Sequence, residues 1–205
     1  AYEEFETLAT LELDDESVLS ATEMGVHTIR CRQLLACPEL LGLKVAEIGK
    51  DLWLFENILS GQFNRVVIFT SIRGEQERVF KLVSEKGFTV ELINGTVSGE
   101  KRVKIDEAFR RGEVQVLIAS PITAGVGYNW SLMDVCVFLT PDYLDSSFSQ
   151  AVARGIRGVR EIALPVYVTQ YQRTIEQKVL GIIQKKSILA HAVDSRKEVL
   201  SGLIC

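Results

Sequence analysis

From Asn64 onwards, short apolar runs rich in β-branched residues alternate with amphipathic stretches, and this alternation constrains the fold more than any other feature of the chain. Strand character is strongest over Arg65–Thr70, Phe88–Ile93, Val114–Ala119, Val135–Leu139 and Leu164–Thr169. Helical spacing occupies Gly74–Lys86, Ser98–Arg111, Ser146–Gly155 and Thr174–Ala192. A strand that is apolar at every position must be covered on both faces, and strand–helix alternation supplies that cover by right-handed crossovers in a parallel sheet. The fold class read from the pattern is α/β, a parallel sheet flanked by helices.

The front third reads differently. Residues 1–20 are acidic and weakly patterned, consistent with a short helix and a flexible join. A helix is expected over Met24–Ala36, with Val26, Ile29, Leu34 and Leu35 as its apolar or small positions, ending before Pro38. A second helix is expected over Asp51–Leu59, closed near Gly61. No strand is expected here. Two units follow: 1–60, an acidic linker and helical segment, and 61–205, the sheet-bearing domain. The opening Ala1-Tyr-Glu-Glu-Phe reads as a cut into a longer polypeptide.

Charge and cysteine usage exclude several classes. The net charge is -4 over 205 residues, so no global basic field draws in nucleic acid, and any such surface is a local patch. Cys31, Cys37, Cys136 and Cys205 form no CxxC pair and no ligand cluster with His27 or His191, so neither a zinc site nor a disulfide framework is expected. A reducing cytoplasm fits. No apolar run reaches membrane-spanning length, and no membrane partner is expected.

A phosphate-cradling loop of the form GxxxxGK[ST] is missing. Gly49-Lys50 has Lys44 where the first glycine belongs and Asp51 where Ser/Thr belongs, so the chain lacks the parts to hold Mg-ATP by itself. Elsewhere, small and donor-rich residues gather where strands end. Ser120-Pro-Ile-Thr-Ala-Gly-Val-Gly-Tyr-Asn129 follows the strand at 114–119, a position where open α/β sheets bind ligands. Ser120 and Thr123 can donate to phosphates or cap backbone groups, and Gly125 and Gly127 equally serve a tight turn. Arg154 and Arg157 are three apart, on one face if helical; they suit a phosphate, or a solvated face paired with Asp142, Asp145 or Glu161. Thr70, Ser71 and Arg73, then Asn94 and Gly95, sit at two further strand ends, where sequence-blind phosphate contact and plain turn chemistry both explain them. Lys101, Arg102 and Lys104 extend that patch or form a solvated helix face.

Taken in order, these segments resemble the second RecA-like domain of superfamily 2 helicases, most closely the Swi/Snf-type DNA translocases. The resemblance covers about residues 25–193. It is carried by Cys31-Arg-Gln-Leu-Leu-Ala-Cys-Pro38, Val66-Val-Ile-Phe-Thr70, Asn94-Gly95 with Ser98-Gly-Glu-Lys-Arg102 and Phe109, Ser120–Asn129 (similar to STKAGGVGLN), Gln150-Ala-Val-Ala-Arg154-Gly-Ile-Arg157 (similar to QAxxRxxR) and Thr174-Ile-Glu-Gln-Lys-Val179.

The resemblance implies the C-terminal motor half of an ATP-dependent DNA helicase or translocase. Arg157 would be the arginine finger reaching the γ-phosphate, Arg154 its support, and Gln150 a member of the same network. Gly125, Gly127 and Asn129 would line the nucleotide. Ser120 and Thr123 would face the nucleic-acid backbone, with Thr70, Ser71, Arg73, Asn94, Gly95 and Arg102 as strand contacts. The cofactor would be ATP with Mg2+, held mainly by an N-terminal RecA-like domain of the same chain, and the partner DNA rather than RNA. The chain departs from the family pattern at Ala124, at Gly158-Val159-Arg160 and at Asp142-Tyr-Leu-Asp145, and it lacks the long insertions of eukaryotic remodellers. Those departures point to a compact bacterial or phage protein. An RNA helicase and a non-catalytic nucleic-acid clamp are the alternatives.

Overall fold

The computed structural model describes residues 1–13, 17–124, 127–142, 145–156, 163–182 and 184–185. The chain opens with helix α1 (Tyr2–Leu8), followed by β1 (Thr10–Glu12) and β2 (Val18–Ser20), which pair antiparallel with Leu11 opposite Leu19. This hairpin corrects the expectation of a strand-free front third. Each strand is three residues long, too short to display a period, and only Leu11 of β1 turns into a core. That core joins Phe5, Leu11, Ala21, Cys31, Leu34 and Leu41.

Helix α2 spans Met24–Ala36 as the pattern predicts and leads into a 3₁₀ turn at Pro38–Leu41. Its buried residues are Cys31, Arg32, Leu34 and Ala36, while Val26 and Ile29 are exposed. The packed stripe is therefore displaced from the expected one, because α2 leans on α1 and also turns Arg32 towards the sheet. Helix α3 (Gly49–Asn57) begins two residues earlier than the apolar spacing indicates and sends Leu54 into the sheet's core.

The main sheet contains β3 (Val66–Thr70), β4 (Val90–Ile93), β5 (Val116–Ala119), β6 (Val135–Thr140) and β7 (Val166–Val168), in the order β4-β5-β3-β6-β7 and parallel throughout. The strands β3, β5 and β6 are buried at every position, which is why each reads as a continuous apolar run. Crossover helices α4 (Arg73–Glu85) and α5 (Gly99–Arg111), the short α6 (Pro121–Ala124) and α7 (Asp145–Ala153) connect them, and residues 175–182 form α8 after β7. One face packs Phe69, Phe109, Trp130, Met133 and Phe138; the other packs Leu54, Ile58, Ile68, Val79 and Val83. Helix α5 starts at the expected cap, where Ser98 Oγ accepts from Lys101 N at 3.3 Å.

Cys31, Cys37 and Cys136 are free and buried. Burial pushes the Cys31 thiol up to about 11 and raises those of Cys37 and Cys136. Among the described residues no helix is long and apolar enough to cross a membrane.

Candidate nucleotide and nucleic-acid edge

Because the five strands run the same way, their carboxyl ends form one edge, and the chain leaves it through loops at 71–72, 94–98, 120 and 141 onwards. Beneath those loops lies a continuous buried polar chain. Asn94 Nδ2 donates to Gln76 Oε1 at 3.0 Å, and Gln76 Nε2 donates to the Thr70 carbonyl at 2.9 Å. The Thr70 hydroxyl donates to Glu75, whose other oxygen accepts from Thr140 Oγ1 at 3.2 Å. Lys50 Nζ donates to Thr140 Oγ1 at 3.2 Å, to the Leu139 carbonyl at 2.6 Å and to Glu176. Glu176 in turn accepts from Tyr171 N at 2.8 Å.

The local sequence dictates this arrangement. The register between β3 and β6 slips after Phe69–Phe138, so that Thr70 faces Thr140 and Leu139 is the extra residue. Such a bulge frees a carbonyl from the ladder and re-aims the side chain beside it. Lys50 satisfies that carbonyl, which explains how an amine can be buried at 3% exposure. Donor accounting is equally strict at Glu75. Thr70 Oγ1 accepts from Ile72 N at 3.3 Å and Thr140 Oγ1 accepts from Lys50, so each hydroxyl's single proton is left for Glu75. Burial drives the Glu75 carboxyl above the ordinary range, and Lys50 and the two hydroxyls pull it back down.

The residues singled out from sequence divide accordingly. Thr70 and Asn94 are buried, and Asn94 Oδ1 is occupied by Thr96 N and Thr96 Oγ1. The Thr70 hydroxyl proton and one Asn94 amide proton are engaged inside the protein, and both side chains support the loops from below. Above them Ser71 is half-buried, and Gly95 and the side chain of Arg73 are exposed. Ser120 and Thr123, on either side of Pro121, are half-buried. Arg102 donates to the Gly95 carbonyl at 3.3 Å, tying α5 to the β4 loop.

Between α6 and β6, Asn129 is exposed with its Oδ1 accepting from Ser131 N, and Gly127 takes a left-handed φ of 73° that favours glycine. Gln150 is exposed on α7. Helix α7 ends at Ala153, so Arg154 lies in the turn beyond it, which corrects the expectation of two arginines on one helix face. Arg154 is buried, so a solvated face does not describe it, and its carbonyl accepts from Trp130 N at 3.1 Å. Next to it Gly155 has no space for a Cβ, which would come within 1.9 Å of Met133 Cε and 2.6 Å of Leu164 Cδ2. Trp130 is fully buried, stacks on Tyr128 at 5.1 Å and donates Nε1–H to Asp106 at 2.9 Å. The turn at 154–155 is thereby seated against the 127–133 loop. Gly125 and Arg157 lie outside the described residues.

Sequence reading missed Glu75, Gln76, Lys50, Glu176, Arg32 and Trp130. Lys50 carried a signal, a lysine beside glycine at a helix start, and its amine is engaged inside the protein by Glu176, Thr140 and the Leu139 carbonyl. Among the described residues no three His, Cys, Asp or Glu gather as a metal site would require.

The chain is 27% identical over 165 residues to the TATA-binding protein-associated factor BTAF1 of Arabidopsis thaliana, covering 78% of this chain and 8% of the relative. It is 26% identical over 137 residues to the CHD3-type chromatin-remodeling factor PICKLE of the same plant, covering 66% of this chain and 10% of the relative. It thus spans at most about a tenth of the curated relatives it matches here. These plant relatives lend no support to a bacterial or phage source. A crystal structure of the C-terminal part of the Fun30 ATPase domain superposes with a TM-score of 0.60 at 16% identity, over 76% of this chain and 53% of that one, which shows the RecA-like fold. The helicase conserved C-terminal domain model matches residues 49–159, more than half of the chain, and the chain belongs to that family.

Proposed function

We propose that this chain is the C-terminal motor half of an ATP-dependent DNA translocase or helicase, acting with an N-terminal RecA-like domain of the same polypeptide. The observation that carries the reading is the carboxyl edge itself. Loops and helix starts with phosphate-suited donors (Ser71, Arg73, Gly95, Ser120, Thr123) leave one sheet along one edge, above one buried polar chain, while the turn carrying Arg154 follows α7 and packs on the residues ahead of β6 and β7. Membership of the helicase C-terminal family supports it.

In this reading Ser71, Arg73, Gly95, Arg102, Ser120 and Thr123 hold the sugar-phosphate backbone, which needs donors but no base recognition. Gln150, Arg154 and Arg157, with the backbone around Gly125 and Gly127 and the Asn129 amide, face ATP. Their chemistry fits a triphosphate, since guanidinium, amide and backbone N–H groups all donate to phosphate oxygens. Mg-ATP, held mainly by the other half, would supply the phosphoryl group whose transfer to water drives the cycle. Arg157 stabilises the charge that develops on that group, and Arg154 supports it.

A half-motor cannot turn over by itself. The purified 205 residues are expected to bind duplex DNA weakly, with affinity falling as salt rises, and to hydrolyse no ATP above background. Filter binding and a coupled phosphate-release assay check both, and robust turnover by the isolated domain would overturn the half-motor assignment.

A further inference from the structure

Arg32 belongs to the N-terminal helical unit, yet its head group works at the sheet edge. Its Nη2 donates to Ser71 Oγ at 2.9 Å and to the Pro141 carbonyl at 2.6 Å, and its Nη1 lies 4.0 Å from Asp142 Oδ1. The residue is 9% exposed, so these bonds form largely away from water, where charged hydrogen bonds are strongest. One guanidinium thus joins two loops. The first leaves β3, carries Ser71 and opens α4 at Arg73; the second leaves β6 and runs into α7, which is followed by the Arg154 turn. Ser71 N also donates to the Thr140 carbonyl at 3.0 Å, so the two loops touch directly beneath the arginine.

The chemistry at Ser71 is directional. A hydroxyl that accepts from a guanidinium keeps one proton to give, and among the described residues Ser71 Oγ has no other acceptor. Ser71 lines a cleft of about 540 Å³ together with Arg32, Gln33, Arg73 and Gly74. The unit that delivers Arg32 is itself pressed against this corner, since a Cβ on Gly74 would lie 2.6 Å from Leu40 Cδ1 and 3.0 Å from Cys37 Sγ.

We infer that Arg32 is a positioning residue that couples backbone contact at the β3 loop to the arginine-bearing turn after α7; this rests on the motor reading above. A phosphate that engages Ser71 draws on the same guanidinium that fixes Pro141 and Asp142, so occupancy at one loop is felt at the other. A shorter or single-pronged side chain cannot hold both loops together.

The test uses the full-length polypeptide. ATP turnover is measured with saturating duplex DNA and without it, for wild type, Arg32→Ala and Arg32→Lys, and the ratio of the two rates is the readout. The ratio is expected to fall about tenfold in Arg32→Ala, the scale of one lost charged hydrogen bond, and by less in Arg32→Lys, which keeps the charge and one bond. A merely structural arginine would lower both rates in parallel, and a ratio within about twofold of wild type in both variants overturns the coupling role. Should Arg32→Ala fail to fold, as a thermal melt would show, the Arg32→Lys ratio decides by the same criterion. A wild-type chain that DNA does not stimulate overturns the motor reading and this inference with it. A stimulated wild type with unchanged variant ratios overturns the Arg32 role alone.

Discussion

Arg157→Ala in the full polypeptide is expected to lower DNA-stimulated ATP turnover by about a thousandfold, at the lower end of what an arginine finger contributes. The expectation rests on the run Gln150-Ala-Val-Ala-Arg154-Gly-Ile-Arg157 and on family membership. A guanidinium that meets the γ-phosphoryl group only as charge builds there acts on the transition state, so the loss falls on kcat and leaves KM for ATP nearly as it was. Arg157→Lys is expected to recover little, because an ammonium lacks the planar fork. Steady-state kinetics over a range of ATP concentrations separate the roles: a raised KM with kcat intact would make Arg157 a binding residue and sink the finger assignment. Arg154 differs in kind. It is buried and its carbonyl receives Trp130 N, so its substitution disturbs the fold of the turn as well as any charge it offers.

Lys50→Met is expected to destabilise the domain by about 3–5 kcal/mol, because removing one member of a buried ion pair strands the other. Both side chains of the pair, Lys50 and Glu176, are 3% exposed. With the amine gone, Glu176 is left with the Tyr171 amide, and the Leu139 carbonyl at the β6 bulge with Thr169 Oγ1 at 2.9 Å, neither of which supplies a charge. For a domain of this size the change corresponds to a fall in Tm of about 10 °C. The double variant Lys50→Met/Glu176→Gln is expected to be more stable than the sum of the single losses predicts, since no lone charge is then buried. Urea melts of all four proteins measure this, and strict additivity would show that the two groups stabilise the edge independently.

The sheet was legible because its central strands are buried on both faces. Val66-Val-Ile-Phe-Thr70 and Val135-Cys-Val-Phe-Leu-Thr140 announce themselves by composition alone, and each intervening helix shows its own apolar stripe. Ser98 was readable as a cap because capping is local. The front hairpin was not, since three-residue strands show no period. The loops of the candidate site were also visible, as small polar residues after apolar runs. Hidden were the groups that hold those loops. Lys50 and Glu176 are 126 positions apart, Arg32 and Pro141 are 109 apart, and Glu176 and Arg32 taken singly read as ordinary helix residues. The supporting role of Thr70 and Asn94 was hidden for the same reason: a strand-end hydroxyl or amide looks only like a contact group until the side chain that engages it, Glu75 or Gln76, is brought beneath it by tertiary closure.

The most direct test of the motor assignment is the ATP turnover of the full-length polypeptide titrated separately with duplex DNA, single-stranded DNA and RNA. Stimulation by DNA well above the unstimulated rate is the predicted result. Stimulation by RNA alone would make the chain part of an RNA helicase, and turnover that is absent or indifferent to all three nucleic acids would contradict the account.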